Sequence, residues 1–197
     1  MTRTPLPQRA QRWHGSTPAD RVEFTARTET IAAGDVAPDM HGLASRVRNL
    51  MDLQRGAPLT LPLGGRFFDI VVTAAGPEAY AAVRLMDDVQ RVRGARPGIA
   101  ACGPVIEDPE RDWLIWLVPP GTHETWEPHG SATCLGAPYE LALPPLRQTK
   151  PPGPYWLRPC RGDRLVPPLP LADFLDRFQP GPIPYEELRG MFLSAVS

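Results

Sequence analysis

The sequence lacks any apolar run long enough to cross a membrane, and it contains few cysteines. Its longest apolar stretches, residues 67–72 and 113–118, have the length of a strand, whereas a membrane helix needs about 20 residues. The first residues lack the apolar core of an export signal. Three cysteines without a C-x-x-C pair indicate reduced thiols rather than a disulfide framework. We therefore expect a cytoplasmic protein without a membrane partner.

Several motifs that carry known chemistries are also missing. The sequence has no G-x-G-x-x-G or G-x-x-x-x-G-K-[ST] for nucleotide phosphates, and no G-x-S-x-G serine elbow. Its 21 basic and 22 acidic residues exclude an overall basic surface for nucleic acid. A local basic patch is still compatible with this composition. Lys150 is the only lysine, and all other basic residues are arginine. This preference is typical of a GC-rich genome and does not by itself indicate a functional need for guanidinium groups.

Proline is abundant, with 26 residues, and many of them lie in the second half of the chain. Proline fixes φ and removes a backbone donor, so these stretches are excluded from helix interiors and central strands. The C-terminal half is therefore predicted to consist of short strands joined by stiff loops.

The pattern of apolar residues predicts a flexible tail over residues 1–16 and one α+β domain over 17–197. The stretch 17–33 fits a helix that starts at Thr17 and Pro18, but its alternation also fits a strand. Further helices are predicted at 39–55, 77–93, 171–178 and 184–195.

The order of the predicted strands and helices indicates a largely antiparallel sheet with helices packed on one face. Strands at 59–63 and 67–73 flank Gly64 and Gly65 and are predicted to form a hairpin. The stretch 113–118 is apolar at every position, so it is predicted to be the central strand. Other strands are expected at 99–107, 133–135, 139–143 and 155–158.

A histidine-rich segment is the densest cluster of residues that could carry chemistry. His123, His129 and Cys134 are donors that zinc accepts, although their spacing matches no standard zinc pattern. The other interpretation is that both histidines are solvated or structural. No cofactor is predicted from this segment, and a divalent metal stays an open alternative.

Asp69 stands out because it is a carboxylate within an apolar strand. Burying it is costly unless it is paired or faces a cleft. It is therefore either a functional acid or the partner of an arginine such as Arg66. The acids in residues 107–112 lie in a turn, where solvation is the ordinary interpretation.

Trp156 and Arg158 are predicted to share one face of a strand. Together with Arg66 they are the candidate binding residues, since an aromatic ring and a guanidinium can stack a base or hold a phosphate. The same alternation also describes a tryptophan that covers a core edge beside a surface arginine.

Six blocks of this sequence resemble a group of short actinobacterial proteins related to the N-terminal domain of bifunctional primase/polymerases. The blocks are LPLGGRFFDIV, CGPV, LVPPGT, CLG, LALPP and PGPYWL, within residues 58–170. Active members of that family hold metal ions with an acid-x-acid pair on a strand. Here Asp69 matches the first acid, but Val71 stands in place of the second. The resemblance therefore implies an inactive or repurposed domain.

Three functions follow as expectations. The first is a non-catalytic regulatory or adaptor protein that binds a protein partner through its proline-rich edge or its N-terminal tail. The second is a nucleic-acid or nucleotide binding module, and the third is a metal-dependent nucleotidyl-transfer enzyme using Asp69 and His123. The sequence leaves the oligomeric state open.

Overall fold

The computed structural model describes residues 42–53, 57–93, 102–159, 164–183 and 185–192. All of them belong to one compact unit, Ala37–Ser197. The predicted tail at 1–16 and the predicted element at 17–33 lie outside the described residues.

The described residues form five helical segments and seven strands. The helices are α1 (Leu43–Leu53), α2 (Pro77–Arg93), α3 (Thr122–Thr125), α4 (Pro168–Phe178) and α5 (Tyr185–Phe192). The strands are β1 (Leu59–Pro62), β2 (Asp69–Ala74), β3 (Val105–Asp108), β4 (Trp113–Val118), β5 (Thr133–Leu135), β6 (Glu140–Leu143) and β7 (Tyr155–Arg158). Every strand pair among them is antiparallel, which confirms the predicted α+β class.

A five-stranded sheet in the order β5-β2-β4-β3-β7 forms the centre of the fold. β4 is the middle strand, as predicted, and all six of its residues are buried. It pairs with β2 on one side, from Asp69 opposite Val118 to Ala74 opposite Trp113. On its other side it forms a hairpin with β3 through the turn that begins after Asp108.

Both faces of this sheet are covered, so the prediction of helices on one face is wrong. Ile115 and Leu117 of β4 point into a core that also contains residues of α1, α5, β1 and β6. Leu114 and Trp116 point into a second core, which α2 and α4 complete. The reason is the composition of β4, because a strand that is apolar at every position must be buried on both sides.

The predicted hairpin between 59–63 and 67–73 is also wrong. β1 pairs instead with β6 to form a separate two-stranded sheet, with Leu59 opposite Leu143. β2 uses both of its edges for β4 and β5, which leaves no edge for β1. A single bridge between Gly64 and Phe68 closes the chain reversal between them.

Most helix predictions agree with the structure to within a few residues. The predicted apolar stripe of α1 is buried at Leu43, Val47 and Met51. α4 begins at Pro168, three residues before the predicted start, because proline is well tolerated in the first turn, where backbone donors have no partner. Within the described residues, no helix combines the length and apolarity that a transmembrane span requires.

Candidate functional site

Asp69 and His123 meet at one end of the central sheet. Asp69 is the first residue of β2 and lies opposite Val118, the last residue of β4. The chain then reverses through residues 119–121, where Gly121 takes a φ of 83°, a left-handed value that favours glycine. This reversal places α3, with His123 as its second residue, beside the start of β2.

The Asp69 carboxylate accepts two hydrogen bonds from His123. The backbone N–H of His123 lies 2.9 Å from Oδ2, and ring atom Nδ1 lies 2.8 Å from the same oxygen. Because a carboxylate accepts hydrogen bonds, this contact assigns the proton to Nδ1 of the ring. Asp69 is completely buried, whereas the His123 side chain is 28% exposed. Asp69 is therefore paired, but with His123 rather than with the expected arginine.

Gly136 leaves the space that the His123 ring occupies. A Cβ at this position would overlap Nδ1, Cγ and Cε1 of that ring. The position follows β5, which pairs with β2, so the sheet itself fixes this distance. The second carboxylate oxygen of Asp69, Oδ1, is buried and has no hydrogen-bond partner among the described residues.

Cys134 lies near this pair, opposite Val71 in the β2–β5 register. Burial, and to a lesser extent the negative charge of Asp69, raises the pKa of its thiol to about 12. Because the thiolate is the nucleophile and the metal ligand, the raised pKa disfavours both roles for Cys134 at neutral pH.

The structure does not gather the predicted metal ligands. His129 directs Nε2 toward Asp176 of α4, at 3.0 Å from Oδ1, and its Nδ1 accepts the backbone N–H of Ser131. In the described part of the chain, no three His, Cys, Asp or Glu side chains form a group that could hold a metal ion.

The acids of residues 107–112 lie at the opposite end of the sheet from Asp69. Glu107 and Asp108 belong to β3 and are buried, so the expectation of solvated turn residues is wrong for these two. Asp108 is opposite Trp113, the first residue of β4, whereas Asp69 is opposite its last residue. Glu107 accepts a hydrogen bond from the Tyr80 hydroxyl at 2.7 Å, and Asp108 pairs with Arg111. These acids therefore cannot join Asp69 in one site.

The three candidate binding residues are also separated. Trp156 is 1% exposed, and its indole N–H donates to the Pro144 carbonyl, so its ring is part of the core. Arg158 pairs with Asp87 of α2 at 2.8 Å. Arg66 is exposed beside β2, and β4 and β3 lie between β2 and β7.

Trp156 and Arg158 do not share a face because the strand pairing shifts between them. Trp156 is opposite Ile106, but Arg158 is opposite Val105, so β7 has one residue more than β3 here. Such a bulge reverses the alternation of side chains beyond it. Arg158 therefore faces α2, whereas Trp156 lies in the core on the other side of the sheet.

A cleft that the sequence did not reveal lies between residues 122–129 and α4. Its volume is about 710 Å³. One wall carries Trp126 and Glu127, and the other is a single face of α4, at positions 168, 169, 172, 173 and 176. The sequence contains one signal for this cleft: Asp173 and Asp176 are three residues apart, so both lie on the same side of a helix.

The chain matches no protein-family model, no curated protein and no solved structure. Functional inference therefore rests on the residues of the chain itself.

Proposed function

We propose that this chain is a non-catalytic regulatory or adaptor protein on a primase/polymerase-like scaffold. The observation that supports the proposal is the role of Asp69, the residue that the sequence resemblance matches to the first metal-binding acid. Its carboxylate is completely buried and accepts both hydrogen bonds of His123. The carboxylate thereby attaches α3 to the first residue of β2.

This arrangement is unsuited to nucleotidyl transfer. Two-metal catalysis needs oxygen ligands that hold two cations about 4 Å apart. Val71, two residues after Asp69, packs in the core with Trp116 and the residues of α2. An ion with its hydration shell cannot reach a carboxylate with no exposed surface, and Mg²⁺ gives up its waters reluctantly.

The cleft beside α4 offers a surface for a partner. It is concave and lined by both apolar and acidic side chains, and it is of the size that accommodates several side chains. Leu169, which lines the cleft, is 72% exposed and presents apolar surface to a partner.

The first test measures template-directed nucleotide incorporation, Mn²⁺ binding by calorimetry, and anisotropy of labelled single-stranded DNA. We expect no incorporation, no Mn²⁺ binding that depends on Asp69, and no salt-dependent DNA binding by the native protein. Incorporation by the native protein that is lost in Asp69→Asn, with the fold intact by circular dichroism, would refute the proposal.

A second arm places a photo-crosslinking amino acid at Leu169, in the cleft, or at Leu53, which is 77% exposed at the end of α1. We expect a cross-linked partner from position 169 that rebinds the purified protein, and none from position 53. Identical products from both positions would show that the cleft has no specific role in binding.

A further inference from the structure

The cleft between residues 122–129 and α4 carries negative charge that no described residue neutralises. Glu127 on one wall and Asp173 on the other are exposed, and neither forms an ion pair among the described residues. The lining includes Asp176 as a third carboxylate and contains no arginine or lysine. Arg177, the next residue of α4, lies over the Phe178 ring instead. Carboxylates on both walls of a concave surface favour a cationic ligand.

His129 supplies a buried donor at the same place. Its Nδ1 accepts the N–H of Ser131, so the proton of the neutral ring is on Nε2. Nε2 lies 3.0 Å from Asp176 Oδ1, but it makes no aligned hydrogen bond, and the side chain is only 10% exposed. Nε2 has no exposed surface, so this donor belongs to the wall of the cleft and a ligand does not reach it.

The size of the cleft distinguishes a peptide from an ion. A volume of about 710 Å³ is far larger than a metal ion needs, and the carboxylates do not form a metal-ligating group in the described residues. The apolar part of the lining includes Trp126, Leu169 and Ala172. An aromatic ring beside carboxylates suits the stem and the charged head of a basic side chain.

We propose that this cleft binds a segment of a partner protein that carries an arginine or lysine next to an apolar residue. The cationic group lies between Glu127 and Asp173, and the apolar side chain lies against Trp126 and Leu169. This inference rests on the proposed adaptor function, and it specifies the chemistry of the partner.

The test uses three fluorescein-labelled octapeptides with alternating residues: leucine with arginine, leucine with glutamate, and glycine with arginine. Fluorescence anisotropy of the native protein should show binding of the first, about tenfold weaker binding of the third, and none of the second. In the double variant Glu127→Gln/Asp173→Asn, binding of the first peptide should weaken about tenfold or more.

The control variant is Asp52→Asn/Glu110→Gln, which removes the same charge from exposed positions outside the cleft. We expect less than a twofold change in its affinity. Equal weakening in both variants would show general electrostatic attraction, and no binding of the leucine–arginine peptide would overturn the inference outright. Neither outcome affects the adaptor proposal, whose own tests are nucleotide incorporation, Mn²⁺ and DNA binding, and the cross-linking result.

Discussion

At the scale of single residues, Gly136 determines whether Asp69 keeps its partner. Replacing it by alanine introduces a Cβ into the space of the His123 ring. The ring must then move, and the hydrogen bond between Nδ1 and the buried Asp69 carboxylate is lost. We expect Gly136→Ala to lower the free energy of unfolding by about 3 kcal/mol, because a buried carboxylate then loses a hydrogen-bond donor. Urea unfolding followed by circular dichroism measures this.

Gly130 provides the matched control, because a Cβ at that position has no neighbour within 4 Å. Gly130→Ala should change stability by no more than about 0.5 kcal/mol. If both variants lose the same stability, the close approach of the His123 ring to Gly136 is not the cause.

Asp69 shows what residue patterns predict about a site and what they do not. The cost of a carboxylate in an apolar strand correctly marked it as a residue that needs a partner. The identity of that partner was not predictable, because His123 lies 54 positions away and reaches Asp69 only through the pairing of β2 with β4 and the reversal at Gly121. The cleft went unpredicted for the same reason, since its two walls come from distant parts of the chain.

At the scale of elements, Gly103 allows the segment before α4 to cross the end of the central sheet. A Cβ on Gly103 would overlap the backbone of Leu165 and Val166, which cannot move aside as a side chain would. The N–H of Val166 also donates to the Leu117 carbonyl of β4 at 2.8 Å. The path of the chain into α4 therefore depends on this contact.

We expect Gly103→Ala to destabilise the protein by about 1–3 kcal/mol, the usual cost of overpacking a filled interior. Amide exchange at Val166 should also become faster, because its hydrogen bond to Leu117 is displaced. Gly181→Ala is the control, since its Cβ would make an ordinary contact of 3.8 Å with Ala74. Unchanged exchange at Val166 in Gly103→Ala would contradict the expectation.

Strand types were more predictable than strand partners. The uniform apolarity of residues 113–118 predicted the central strand because local composition reports burial on both faces. The partner of β1 depends on which edges remain free after β2 has paired, which local composition does not report. The bulge in β7 likewise arises from pairing with β3, so the opposite orientations of Trp156 and Arg158 have no signal in the sequence.

At the scale of the whole molecule, folding raises the pKa of several cysteine thiols and tyrosine hydroxyls. Burial raises the pKa of Cys102 to about 11 and of Cys134 to about 12 from 9.0, and that of Tyr155 to about 12 from 10.0. The pKa of Tyr80 is also raised, mainly by burial and secondly by the hydrogen bond that its hydroxyl donates to Glu107. Above pH 9 the unfolded chain therefore binds fewer protons than the folded protein.

We expect the free energy of unfolding to fall as the pH rises from about 9 to 12, because stability declines wherever the unfolded state binds fewer protons. Urea unfolding at a series of pH values measures the slope. Cys134→Ala removes one of these groups and should make the decline shallower between pH 9 and 12. A stability that is constant or rises over this range would contradict the assigned pKa directions.

The attachment of α3 to β2 affects the conformational entropy that the cleft loses when it binds a ligand. Residues 122–129 form one wall of the cleft. Within this wall, both the backbone N–H and the ring of His123 are hydrogen-bonded to Asp69 of β2. This wall is therefore already ordered before a ligand arrives, and little conformational entropy is lost on association. The segment belongs to the cooperative unit of the sheet and does not act as a separate lid.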